Sequence, residues 1–497
     1  MDNIMVKTLP GATEIGVPTR LRTGGDRGPL GRRCTALLVS AAAVLLGGCA
    51  SFSPDGGFES VQQVTQQRLG KDVQWARTSD QRTTLDTRVG ELLAKPLSVD
   101  DAVQIALLNN RGLQASFSEL GIAESDLVAA GRLPNPGFSF ARLRRGDEVE
   151  LERSFGFDLA HLITMPLARQ IETRRFAQAR QLAAQEVLSL ASEVRKAYFM
   201  AVAADQSVHY MGQVRSAAEA AADLAGRLAR AGNWTKLQQA REQGFYADAA
   251  LNLARAEQAQ VASRERLTRL MGLWGDQTAF QLPERLPDLP KNADELPDVE
   301  QTAIAQRLDI QAAKQGTEQL ARNLGLSRAT RFINVLELGA VHNSSNEAPT
   351  QRGFEISLEL PLFDWGTART AKAEALYMKA VNRTAQMAVD ARSEVRQAYK
   401  GYRSQFEVAR HYRDEIVPLK QRISEENQLR YNGMLIGVFE LLADARSQID
   451  SVNGYILALR DFWIARSDLD MALTGKPSLN TPDAAAMSTG SDAGGGH

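Results

Sequence analysis

The chain has 497 residues but only two cysteines and five histidines. Cys34 lies in the predicted leader, so the mature chain keeps only Cys49, which excludes an internal disulfide and a cysteine-based metal site. The histidines lack the spacing of metal ligands, and neither a nucleophile elbow nor a Walker loop is present. The formal net charge of −1 argues against nucleic-acid binding. We therefore expect no enzyme, no resident metal and no cofactor.

A secretory leader is predicted at residues 1–48. Several arginines precede the short apolar run 35–46, which is followed by Leu46-Gly47-Gly48-Cys49-Ala50. This ending looks like a bacterial lipobox, which implies cleavage before Cys49, a covalent lipid on its thiol and sorting to the outer membrane. An ordinary cleavage site with an incidental cysteine is the alternative. No apolar run of 18 or more residues follows, so any deeper membrane insertion would need a closed barrel.

The rest of the chain is duplicated. Val194–Tyr198 recurs as Val395–Tyr399, and Gly232 recurs as Gly433, each 201 residues later (395 against 194, 433 against 232). We predict a lipidated N-terminal segment with one helical piece at 49–97, a first repeat at 98–272, a connector at 273–297 and a second repeat at 298–475. Each repeat reads as a helix, two strands, a long helix and a returning helix. The tail 476–497 lacks a packing pattern and is predicted to be disordered.

Each repeat contains two segments that alternate with the period of a β-strand, and the clearer segment of each pair has about the length of a tilted membrane strand. Apolar residues such as Phe155 and Phe354 occupy one side of them. The opposite side is acidic and is predicted to line a channel that prefers cations. Its predicted lumen residues are Glu150, Glu152, Asp158, Glu355 and Glu359. Two alternatives stay open: pairing of these acids with Arg142, Arg144 or Arg153, and hairpins of an ordinary sandwich.

Long helices dominate the pattern. Apolar residues recur every seventh position from Val381 to Ile423, which predicts coiled-coil packing. About 65 residues at 1.5 Å each would form a rod roughly 100 Å long. Pro418 predicts a kink in the second rod. Four strands per chain are too few for an open barrel, whereas three chains would supply the twelve strands of an even-numbered one.

Four motifs carry a family resemblance in the expected order along the chain. They are Leu133-Pro134-Asn135-Pro136, Gln306-Arg307-Leu308-Asp309-Ile310, Leu360-Pro361-Leu362-Phe363-Asp364-Trp365-Gly366 and Arg430-Tyr431-Asn432-Gly433. The chain resembles the TolC-like outer membrane factors, with Leu308 where the family has proline. The resemblance implies a mainly α fold with a small membrane β part: a trimeric 12-stranded β-barrel continued by a long periplasmic α-helical barrel. The lipobox is similar to that of the lipid-anchored members, which serve resistance–nodulation–division pumps.

The resemblance also implies a function: an outer membrane channel of a tripartite efflux system in a Gram-negative bacterium. Its partners would be two further copies, a periplasmic adaptor protein, an inner-membrane pump and outer membrane lipid. Glu440 and Asp444 are the possible gate, because Leu442 stands where many members have aspartate. The predicted adaptor-docking tip consists of Gly232, Asn233, Tyr431, Asn432 and Gly433. Alternatives are a type I protein-secretion duct and a lipid-anchored coiled-coil scaffold without a pore.

Overall fold

A computed structural model describes residues 51–332 and 335–478, apart from the side chains of Val438 and Phe439. Cys49 and the tail beyond residue 478 therefore lie outside the described residues. The helices are α1 Glu59–Leu69, α2 Ser79–Leu93, α3 Val99–Asn109, α4 Arg111–Ala130, α5 Leu159–Arg230, α6 Lys236–Met271, α7 Val299–Gln306, α8 Leu308–Ala329, α9 Thr367–His411, α10 Val417–Asn432 and α11 Val438–Thr474. The strands are β1 Gly137–Arg145, β2 Glu148–Asp158, β3 Leu336–Ser345 and β4 Gln351–Leu358.

The twofold repeat is present in the fold, but the opening helix of each copy is split. The sequence predicts one helix before each strand pair, whereas the chain turns extended at Asn110 and again at Arg307. Asn110 has φ −64° and ψ 119°, and its side chain accepts a hydrogen bond from the Leu113 backbone N–H. This cap starts a new helix and replaces helical hydrogen bonds lost at the break.

The long helices are confirmed with two corrections. Helix α5 has 72 residues and begins at Leu159, earlier than the predicted Leu167, because Asp158 caps it through a 2.8 Å hydrogen bond from the His161 N–H. In the second copy, a π-helical turn at Tyr412–Ile416 separates α9 from α10. Pro418 lies in the first turn of α10. The predicted interruption is therefore a π-helical turn just before Pro418. Because this wider turn shifts the helical hydrogen bonds, the backbone no longer requires a donor at position 418, where proline has no N–H.

The four strands form one antiparallel sheet in the order β1-β2-β3-β4. Glu152 pairs with Ala141 on β1 and with Asn343 on β3, while Gly339 on β3 pairs with Glu355 on β4. Among the described residues, the two outer strands, β1 and β4, each pair with a strand on one side only. Their free edges are 9 and 8 residues long.

Small side chains build much of the helical core. Ala183, Ala184, Ala191 and Ala197 of α5 are all buried, which lets neighbouring helices approach closely. The N-terminal segment adds two helices, α1 and α2, rather than the one predicted, and both contribute to this core. Among the described residues, no helix is both long and apolar enough to cross a membrane.

The connector 273–297 crosses the core surface without forming a separate domain. It contains a short 3₁₀ turn at Gly275–Thr278, and it buries Phe280, Leu286 and Leu289 in the main core. The Trp463 indole N–H of α11 donates to the Pro287 carbonyl at 3.0 Å. The connector therefore fastens the end of the first repeat to the last helix of the second.

Candidate functional site

One face of the sheet is acidic. Residues that pair directly across neighbouring strands share a face, so the register places Glu150, Glu152 and Glu355 together, as predicted. We call this side the acidic face. Its carboxylates are Glu148, Glu150, Glu152, Asp158, Glu337 and Glu355. Glu148 and Glu337 were missed, although the same alternation continued by two residues reaches Glu148.

The acids of this face do not pair with the arginines that the sequence offered as partners. Arg142 pairs across the strands with Leu151, Arg144 with Val149 and Arg153 with His342, all on the opposite face. Within the described part of the chain, no salt bridge involves Glu150, Glu152 or Glu355. The ion-pair alternative is therefore wrong for these three arginines. Among the strand residues, only Arg145, opposite Glu148, places a positive charge on the acidic face, so most of its negative charge is not cancelled from within the sheet.

Two predicted lumen residues lie at the junction with the helices. The Asp158 carboxylate caps α5, so it has a structural role as well as a place on the acidic face. Glu359 follows the last residue of β4, and its backbone N–H donates to the Val335 carbonyl at 3.4 Å. The central part of the acidic face therefore depends on Glu150, Glu152 and Glu355.

The opposite face of the sheet carries large apolar side chains that no other described part of the chain covers. Phe138, Phe354 and Ile356 have exposed fractions of 69%, 77% and 60%. Monomeric soluble proteins rarely expose contiguous apolar patches of this kind, which mark contact with a partner or a membrane. The sheet thus has one acidic side and one side on which large apolar residues are exposed.

The two helical hairpins end in turns with different chemistry. At the first, Gly232 has φ +79°, and Thr235 forms a capping box with Gln238 at the start of α6. At the second, Gly433 has φ −79°, and Met434 takes the positive φ of 60° instead. Gly232 therefore corresponds in conformation to Met434, one residue away from the match suggested by the sequence.

The five predicted tip residues are all exposed at these turns. Helix α11 has Gly437 as its N-cap residue, which has no side chain to cap the helix. Glu440 occupies the position that Gln238 holds in the first copy, and it is exposed. Asp444 lies one turn later and is half-buried. In the residues that the structure describes, neither acid forms a salt bridge, so both keep a free negative charge beside the second turn.

A buried ion pair joins the two hairpins near their ends, and sequence reasoning missed it. The Arg446 guanidinium of α11 lies 2.8 Å from the Glu242 carboxylate of α6, whose side chain is 0% exposed. The same guanidinium stacks over the Phe245 ring at 4.2 Å. These residues are 204 positions apart, so no local pattern could have paired them.

Comparison with known proteins establishes the fold. No protein-family model and no curated protein matches the chain. Among solved structures, the open state of the MtrE outer membrane channel of Neisseria gonorrhoeae matches with a TM-score of 0.64 and 20% identity, over 76% of this chain and 89% of that one. The CmeC outer membrane channel of Campylobacter jejuni matches with a TM-score of 0.63 and 16% identity, over 86% and 92%. The outer membrane protein VceC of Vibrio cholerae matches with a TM-score of 0.62 and 18% identity, over 76% and 96%.

Proposed function

We propose that this chain, which has the fold of the TolC-like outer membrane channels, is the outer membrane duct of a tripartite efflux system. The observation that carries the proposal is the two-faced sheet. Its acidic face suits a water-filled lumen and its uncovered apolar face suits lipid, while long helical hairpins extend from the strand ends. A passive duct needs only such a path, because a separate pump supplies the energy.

The free edges of the sheet support a trimer. An exposed strand edge presents unpaired N–H and C=O groups, which are costly in lipid. If β4 of one copy pairs with β1 of the next, three copies close a ring of twelve strands and no edge remains. A coiled-coil scaffold without a pore would need neither these edges nor the exposed apolar face, so the duct is the better interpretation.

Removing the proposed lipid anchor tests the duct against the scaffold. We propose that Cys49 carries lipid, as in the lipid-anchored members of the family that serve resistance–nodulation–division pumps. The Cys49→Ala protein is expected to stay in the outer membrane fraction and to form conducting channels in planar bilayers, because the sheet inserts by itself. A fully soluble, non-conducting Cys49→Ala protein would instead support the scaffold.

The acidic face predicts cation selectivity. Unpaired carboxylates in a narrow lumen raise the local concentration of cations and repel anions. In a KCl gradient, the wild-type channel is expected to pass K⁺ in preference to Cl⁻. The Glu150→Gln/Glu152→Gln/Glu355→Gln variant is expected to lower the permeability ratio by about threefold or more. Arg142→Gln, on the opposite face, is the control and should leave the ratio unchanged; anion preference of the wild type would contradict the assignment.

The hairpin tips are the proposed docking site for a periplasmic adaptor that joins the duct to an inner-membrane pump. Gly232, Asn233, Tyr431, Asn432 and Gly433 are exposed and lie at the ends of the helices farthest along the chain from the strands. Glu440 and Asp444 beside the second tip are the proposed gate. Gly433→Pro is expected to abolish cross-linking of the tip to the adaptor while conductance persists, because it alters only the turn. Unchanged cross-linking would place the adaptor elsewhere.

A further inference from the structure

The outer, apolar face of the sheet changes to a cationic surface towards the hairpin turns. Arg142, Arg144, Arg153, His342 and Arg352 all fall on this face by register. We call these five residues the basic patch. Most apolar residues of the same face lie nearer the helices, from Leu358 and Leu338 up to Phe138 and Phe354. Leu151 and Val149 are the exceptions and lie among the basic residues, opposite Arg142 and Arg144. The patch therefore begins where the larger apolar surface ends.

The register sets the dimensions of the basic patch. Phe140, Arg153, His342 and Arg352 occupy one row across the four strands. Neighbouring strands are about 4.8 Å apart, so Arg153 and Arg352 stand about 10 Å apart with His342 between them. Arg142 is diagonal to Arg153, at about 7–8 Å. Guanidinium groups at these separations can bind one or two phosphate groups from several sides.

The basic patch has no counter-charge within the sheet. Every acidic residue of the strands lies on the other face, and among the described residues no salt bridge involves Arg142, Arg153 or Arg352. Arg144 donates only to the Gly146 carbonyl, at 2.9 Å. Cations side by side on a sheet repel one another. An external anion would relieve this repulsion, and the arginine fork matches phosphate oxygens in geometry.

The position of the basic patch on the sheet indicates that the anion comes from a lipid headgroup. At the helix end of the sheet, Phe363 and Trp365 are 100% and 58% exposed, and exposed apolar side chains recur along the strands from there up to Phe140 as an apolar surface. If that surface spans the hydrocarbon, the basic patch lies at the level of the lipid headgroups on the side of the hairpin turns. Clusters of basic residues at this level attract anionic lipids.

We propose that the basic patch binds the phosphate groups of anionic lipids in the membrane leaflet on the hairpin-turn side. This inference rests on the proposed function, because it requires the apolar face to be in a bilayer. A trimer would carry three such patches around its outside, facing away from the lumen. Lipid bound there would hold the trimer at a fixed depth and tie neighbouring chains to the leaflet.

The test measures lipid retained by the full-length trimer in phosphatidylcholine nanodiscs that contain some phosphatidic acid, whose headgroup is a bare phosphate. Native mass spectrometry counts the phosphatidic acid that stays bound. Arg142→Gln/Arg153→Gln/Arg352→Gln is expected to lower its enrichment by about tenfold or more. Arg145→Gln is the matched control, because Arg145 lies on the same strand but on the acidic face, paired with Glu148. The corresponding triple lysine variant keeps the charge and should keep most of the binding.

Equal retention by the wild type and the triple glutamine variant would overturn the inference, and so would equal loss in Arg145→Gln. Displacement of the lipid by millimolar inorganic phosphate alone would also overturn it, because the site would then select a free ion. Conductance of the same preparations separates this test from the proposed function. A wild-type trimer that retains phosphatidic acid but never conducts would refute the duct and leave the lipid site standing.

Discussion

Replacing Arg307 by methionine is expected to lower the free energy of unfolding by about 3–5 kcal/mol. The Arg307 side chain is almost fully buried, at 1% exposure. Its guanidinium donates hydrogen bonds to both carboxylate oxygens of Asp309, at 3.1 and 2.7 Å. Its remaining nitrogen donates to Glu394 of α9 at 2.7 Å. Methionine fills similar space but leaves the carboxylates of Asp309 and Glu394 without their cation. Unpaired buried charges lower stability more than removal of the whole network does.

Denaturant unfolding of the helical part measures this loss. Arg396→Met is the matched control, because Arg396 and Glu300 form an ion pair of 3.0 Å that is half exposed, and such pairs contribute about 1 kcal/mol or less. Arg307→Met/Asp309→Asn/Glu394→Gln removes every charge and should recover most of the stability. A loss no larger than that of Arg396→Met would contradict the prediction.

Replacing Arg446 by methionine is expected to loosen the two hairpins near their tips. The change leaves the Glu242 carboxylate fully buried and unpaired, and its second oxygen, Oε1, already lacks a hydrogen-bond partner within the described chain. Only a small apolar cluster accompanies the pair, with Ile449 of α11 packed against Val214, Ala218 and Ala249. Backbone amides in the first turns of α6 and α11 are therefore expected to exchange about a hundredfold faster.

Hydrogen exchange with mass spectrometry checks this expectation. Arg227→Met is the control, because Arg227 pairs with Asp223 at 2.6 Å on the exposed surface of α5, also near the first tip. That pair should contribute little, so exchange should stay at the wild-type rate. Arg446→Met/Glu242→Gln removes the buried charge and should restore much of the protection. Equal protection in Arg446→Met and Arg227→Met would show that the pair does not hold the hairpins together.

The sequence predicted features that depend on a short repeat, namely the strand alternation and the seven-residue helical spacing. It did not predict ion pairs between residues far apart in the chain. The alternation of Glu150, Glu152 and Glu355 with apolar residues predicted the two faces of the sheet, because side-chain direction on a strand depends only on the backbone. The seven-residue spacing was confirmed in the same way, with Val395, Tyr402 and Ala409 all buried. These features follow from local geometry, which the sequence specifies directly.

The breaks and the ion pairs depend on the tertiary structure instead. Helical periodicity continues through Asn110 and Arg307, so the sequence pattern alone does not locate either break. At Asn110 the side-chain cap on the Leu113 N–H stabilises the break, and at Arg307 the extended backbone accompanies a buried ion-pair network with Asp309 and Glu394. The sequence predicted one helical piece where the structure has α1 and α2. Each of these helices buries few residues, such as Val61 and Leu85, and so few buried positions give a weak helical pattern until the core that they cover is known. The positive φ of Met434 likewise follows from closing the turn rather than from residue preference.

The free edges of β1 and β4 have a consequence for the order of folding. The backbone hydrogen bonds of a helix form within one segment, so the long helices can form in a single copy. The sheet of a single copy, by contrast, leaves the outer edges of β1 and β4 unpaired among the described residues. If three copies close the ring, the concentration of closed rings at equilibrium varies with the third power of the concentration of free copies, so ring closure is the step most sensitive to dilution. Until two further copies arrive, the strand edges of a single copy stay open to pairing with other chains. The slowest and most dilution-sensitive part of folding and assembly would then involve four strands that together have fewer than 40 residues.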